Sequence, residues 1–100
     1  MSGMLNIDDV RQKIGNLKPI IRERYKVRTI GVFGSYVRGE AKEKSDLDVL
    51  VDFSKPISLL KFVELENFLS DSIGVRVDLV MKNALKPRIG KHILEEVVAV

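Results

Sequence analysis

Apolar positions along this chain switch from helical to strand spacing and back. Val10, Ile14, Leu17, Ile20 and Ile21 recur at helical spacing, which predicts a first helix capped by Asp8 or Asp9. Pro19 interrupts the pattern and is expected to kink that helix or split it in two. Val27 to Phe33 reads as a strand ending at Gly34, Ser35 to Gly39 as a single helical turn, and Glu40 to Ser45 as a polar loop. Leu47 to Phe53 is a second strand, apolar on successive residues at Val49-Leu50-Val51, as when both faces are covered. Ser58 caps a helix from Leu59 to about Ile73, with Leu60, Val63 and Phe68 expected on or near its inner face and Gly74 closing it. Val75 to Met81 alternates: Val75, Val77, Leu79 and Met81 face one side, Arg76, Asp78 and Val80 the other. Pro87 starts a last helix with Ile89, Ile93, Leu94 and Val97 as its apolar positions, and Val97-Val98-Ala99-Val100 is apolar enough to pack on the core, or on a partner.

The order helix, strand, strand, helix, strand, helix predicts a small α/β domain of two or three layers. Its 100 residues, 45% hydrophobic, suffice for one domain over residues 1–100 with a real core. There is no cysteine, which removes disulfides, thiol chemistry and the usual zinc sites. No signal peptide, repeat or membrane-length apolar run interrupts the chain, so a soluble cytoplasmic protein with no membrane partner is expected. The formal charge of +3 suits a triphosphate, RNA or an acidic protein, and equally a lysine-rich solvated surface.

Two short segments change the picture. Asp46 and Asp48 are spaced i and i+2 and project from one face of a strand, a way of holding Mg²⁺ against nucleotide phosphates. Upstream, Gly34-Ser35 forms a turn suited to presenting backbone N–H groups and a hydroxyl to a phosphate. Together they point to a nucleoside triphosphate and to two Mg²⁺ ions, about 3.5–4 Å apart, between Asp46 and Asp48. Asp78 lies mid-strand, where a charge is costly unless paired or metal-bound. It reads as a third metal ligand and proton acceptor, because a strand neighbouring the Asp-x-Asp strand would place it beside the same site; pairing with Arg76 or an exposed face would explain it as well. Arg38, one turn past Ser35, is either a phosphate contact or a surface arginine. Lys42 and Lys44 could cover the triphosphate, Tyr36 reads as packing, Asp52 as a solvated strand end, and His92, the single histidine, as structural or exposed.

The run Val32-Phe33-Gly34-Ser35-Tyr36-Val37-Arg38-Gly39-Glu40-Ala41, continuing through Ser45-Asp46-Leu47-Asp48-Val49 to Asp78, resembles the nucleotidyltransferase superfamily of DNA polymerase beta. It looks closest to the minimal nucleotidyltransferases, called MNT or MntA-like. The resemblance implies an α/β fold with a small mixed sheet and flanking helices. It also implies Mg²⁺-dependent nucleotidyl transfer, with Asp46, Asp48 and Asp78 as catalytic metal ligands and Gly34, Ser35 and Arg38 binding nucleotide. Many such proteins are antitoxins that transfer AMP from ATP to a tyrosine of a HEPN-type RNase toxin. Larger relatives carry a further domain for the base and acceptor, so a partner is expected to complete the site here. The alternatives are transfer to RNA or a small molecule, nucleic acid being the less favoured partner, and neutralisation of the partner by occlusion without catalysis.

Overall fold

Asn6, not Asp8 or Asp9, begins the first helix in the computed structural model, which describes residues 5–100 apart from the side chain of Ile89. The Asn6 side chain accepts from Asp9 N–H at 2.8 Å, and Asp9 reaches back to the Asn6 N–H at 3.4 Å. This reciprocal arrangement satisfies two otherwise open donors. Helix α1 (Ile7–Tyr25) then continues through Pro19, so it is not split in two there. Gly15 and Pro19 both lie on its exposed side, where water can meet the Gly15 carbonyl that loses its partner. Ile20, expected with the core, is exposed beside buried Ile21.

The remaining elements are β1 (Val27–Phe33), α2 (Ser35–Arg38), β2 (Leu47–Phe53), α3 (Leu59–Ile73), β3 (Val77–Met81), α4 (Pro87–Glu96) and β4 (Val98–Ala99), with a 3₁₀ turn at Lys82–Ala84. The sheet order is β3-β2-β1-β4. β1 is antiparallel to β2 and β4, whereas β2 and β3, joined by the α3 crossover, are parallel. The expected small mixed sheet with flanking helices is therefore the observed fold. β4 is an addition to the expected elements: the apolar tail packs on the core by pairing Val98 with Val32 and Ala99 with Gly31. Gly31 permits this closeness, because a Cβ there would stand 2.7 Å from Val97 Cγ2 and 3.0 Å from the Val98 carbonyl oxygen.

One face of the sheet supplies the core. Leu47, Val49 and Val51 of β2, Val77 and Leu79 of β3, and Val27, Ile30 and Val32 of β1 are buried against Val10, Ile14 and Ile21 of α1 and Leu65, Leu69 and Ile73 of α3. An irregularity between Val27 and Thr29 lets positions three apart in β1 share that face. β3 is an edge strand, and α3 covers part of the edge: Ser70 Oγ accepts from Val77 N–H at 3.0 Å and Glu66 from Leu79 N–H at 2.9 Å.

The inner face of α3 corrects an expectation. Leu60 is 75% exposed and Val63 42% exposed, while Leu65, Leu69 and Ile73 are buried. At 3.6 residues per turn, Leu60 and Val63 fall on the side of the helix opposite that buried stripe. Phe68 packs at the margin of the core. Truncating the two faces separates them: Leu69→Ala is expected to lower unfolding free energy by about 2–5 kcal/mol. Leu60→Ala is expected to stay within about 0.5 kcal/mol of wild type, both read from urea midpoints.

Candidate active site

The alternation that buries Leu47, Val49 and Val51 turns Asp48, Leu50 and Asp52 to the opposite face of β2. Two pairings then fix what flanks Asp48. In the parallel ladder it stands beside Asp78, and in the antiparallel ladder beside Phe33, the residue before Gly34. Asp46 precedes the strand, whose first backbone bond runs from Leu47 N–H to the Arg76 carbonyl oxygen at 2.8 Å. The sheet thus draws together the sequence-derived carboxylates and the Gly-Ser turn.

Asp48 is half-buried, whereas Asp46 and Asp78 are exposed. Burial pushes the Asp48 carboxyl above its ordinary pKa; the negative charges of Asp78 and Asp46 push the same way, and Arg38 opposes them. Among the described residues no cation pairs directly with Asp48, and the surplus of negative charge around it is one a divalent cation would relieve. Among the described residues no group of three or more carboxylates or imidazoles is arranged to hold a metal ion by itself. Mg²⁺ commonly takes one or two carboxylates and completes its shell with water and substrate phosphates.

Asp78 is exposed, so no burial cost demands a partner, and among the described residues it forms no ion pair with Arg76. Its register beside Asp48 is the placement expected of a strand neighbouring the Asp-x-Asp strand. Asp52 is half-buried and paired with Arg28. Tyr36 packs in the core, and His92, Lys42 and Lys44 are exposed.

Gly34 adopts φ 80° and ψ −152°, a conformation that glycine alone adopts without strain. A Cβ at this position would overlap the Asp48 carboxylate. No side chain caps α2, which begins directly after the glycine that lies against Asp48. Arg38 closes the turn, but its guanidinium is not free. Nη1 donates to Glu96 at 2.6 Å and Nε to Glu40 at 3.3 Å, and these bonds hold it in the charged form. Glu96 also lies near enough to Asp48 to raise its pKa. Sequence reasoning passed over Glu96, which is 58 residues from Arg38 and belongs to no local pattern.

A hollow of about 700 Å³ lies apart from these groups, between the far end of β2 and α4, and is lined by Arg28, Asp52, Lys86, Lys91 and Leu94 among others. Asp46 and Asp78 are exposed beside half-buried Asp48. Such an arrangement can hold a metal-bound polyphosphate against the Gly-Ser turn while leaving its outer side accessible to a second reactant.

This chemistry agrees with the comparisons to known proteins. The nucleotidyltransferase domain profile matches residues 14–100, and the chain belongs to that family of enzymes. It is 57% identical over 97 residues to the protein adenylyltransferase MntA of Thermococcus cleftensis, spanning 97% of this chain and 98% of that one. A solved structure assigned as a minimal nucleotidyltransferase is 33% identical, with a TM-score of 0.83 over 99% of this chain and 100% of that one. The MNT antitoxin complex with the tri-AMPylated HEPN toxin of Shewanella oneidensis matches at 19% identity and a TM-score of 0.67, over 90% of this chain and 70% of that one. At that identity the likeness concerns the fold.

Two measurements test the electrostatics. Because the folded-state pKa of Asp48 is raised, stability declines as pH rises from the ordinary carboxylate pKa, about 3.9, through the raised value. Above that range the penalty is complete, and below about pH 4 both states are protonated and it is absent. Asp48→Asn is therefore expected to raise Tm at pH 7 and to lose that advantage near pH 3.5, by calorimetry across the range. Gly34→Ala is expected to cost about 1–3 kcal/mol from backbone strain alone, with further loss as Asp48 is displaced, read from denaturant unfolding.

Proposed function

We propose that this enzyme transfers AMP from ATP, with Mg²⁺, to a tyrosine hydroxyl of a HEPN-type RNase toxin and so acts as its antitoxin in the cytoplasm. The observation that carries the reading is the register of Asp48 beside Asp78, with Asp46 just ahead of the strand and the Gly34-Ser35 turn on the other flank. The MntA relative is a protein adenylyltransferase, and the Shewanella antitoxin is bound to an AMPylated toxin. Both favour a protein acceptor over RNA or a small molecule.

In this reading Asp46, Asp48 and Asp78 would hold two Mg²⁺ ions, whose charge would neutralise the triphosphate and lower the pKa of the acceptor hydroxyl. Gly34 lets the backbone approach the β- and γ-phosphates, Ser35 donates its hydroxyl to one of their oxygens, and the uncapped N–H groups of α2 add further donors. Arg38 offsets negative charge at the same corner. The acceptor oxygen forms a bond to the α-phosphorus while the bond to the α,β-bridging oxygen breaks. Pyrophosphate leaves, and Asp78 accepts the hydroxyl proton. The open outer side of the carboxylate face accommodates a docked protein that brings its tyrosine to the nucleotide.

The test is the intact mass of the cognate HEPN-type partner after incubation with this protein, MgCl₂ and ATP. Wild type is expected to add whole AMP increments to the partner, and the Asp46→Asn/Asp48→Asn variant none. A partner neutralised equally by both proteins, with its mass unchanged, would replace catalysis with occlusion.

A further inference from the structure

We propose that Glu96, the last residue of α4, is a positioning residue that sets Arg38 for the triphosphate; the inference rests on the nucleotidyl-transfer reading above. An arginine at the end of a four-residue helix has many rotamers, and a phosphate contact gains from having that freedom removed beforehand. Two carboxylates remove it. Glu96 Oε1 accepts from Nη1 at 2.6 Å and Glu40 Oε2 from Nε at 3.3 Å. Together they fix the plane of the guanidinium and leave Nη2 without a protein acceptor among the described residues. The backbone ties Arg38 to the carboxylate corner: the Arg38 N–H donates to the Gly34 carbonyl oxygen at 3.2 Å, and Gly34 lies directly against the Asp48 carboxylate.

Glu96 is the firmer of the two partners. Its side chain is 23% exposed against 63% for that of Glu40, its bond is the shorter, and it comes from a distant element whose position is fixed. The Val97 N–H closes α4 on the Ile93 carbonyl at 2.9 Å, and β4 begins at the next residue, paired to Val32 and Gly31 of β1. The strand that ends in the Gly-Ser turn thus also holds, through β4, the carboxylate that orients Arg38. An ordinary surface ion pair contributes little to stability and would leave ligand affinity untouched. A pair that presets a phosphate ligand changes affinity while changing stability little.

Titration calorimetry of Mg·ATP against the full chain distinguishes the two. Glu96→Ala is expected to weaken binding about ten-fold, and Arg38→Ala at least as much. The double variant is expected within about two-fold of Arg38→Ala, since both substitutions disable one device. Glu96→Asp keeps the charge but withdraws it by one methylene, and is expected to lose about three-fold. It serves equally if the alanine variant does not fold. Unchanged affinity in Glu96→Asp or Glu96→Ala, additive losses in the double variant, or a lowered Tm without an affinity change would each overturn the role. Wild type that fails to bind Mg·ATP would overturn the nucleotidyl-transfer reading itself, and the role of Glu96 with it.

Discussion

Side-by-side pairing of Asp48 with Asp78 is a repulsive contact, and the fold sustains it because the other face of the same two strands is apolar. Leu47, Val49 and Val51 interleave with Val77 and Leu79 beneath α1 and α3, and their burial fixes the register of β2 on β3. A slip of one residue would turn the carboxylates into the core and the apolar residues into water. The core therefore decides where the charge sits. The raised pKa of Asp48 is the electrostatic trace of that compulsion, a local instability that a bound cation would remove.

The same logic extends to the two flanks of the site. On one side, β1 delivers Gly34 beside Asp48, and the lack of a Cβ lets the turn and the carboxylate share a space too small for alanine. On the other, Gly31 lets the C-terminal segment close on β1, which places the end of α4 within reach of Arg38. Both glycines serve close approach, yet the first shapes the phosphate turn and the second seats the strand that follows Glu96. The core face is closed by two helices. On the other face Leu50 is also buried, while Asp46 and Asp78 at the near end of the strands are exposed.

Much of this was legible in the residues. The bounds of β1, β2 and α3 coincide with the expected ones, because their ends are marked by Gly34, Ser58 and Gly74 and their interiors by dense apolar runs. The Gly34-Ser35 and Asp46-Leu47-Asp48 pair was readable because strand alternation is a local rule. Errors arose where a neighbour decides. Pro19 sits inside a continuous α1 with both it and Gly15, whose carbonyl it leaves without a partner, on the exposed side. Leu60 and Val63 lie outside the core because the helix turns its other stripe to the sheet. Asp78 is exposed, so the cost of a buried charge does not apply, whereas the expectation that a strand neighbouring Asp48 would carry it agrees with the β2–β3 ladder.

By itself the sequence determined the order of elements, the periodicity that buries one face of each strand, and the family to which its motif belongs. These follow from interactions within a few residues, where backbone geometry and side-chain spacing leave little choice. Tertiary structure alone decided the exact register that sets Asp78 opposite Asp48, that the last residues add a fourth strand, and that Glu96 holds Arg38 across 58 positions of chain. Each of those depends on which surfaces meet when the core closes, a cooperative choice that local patterns do not encode.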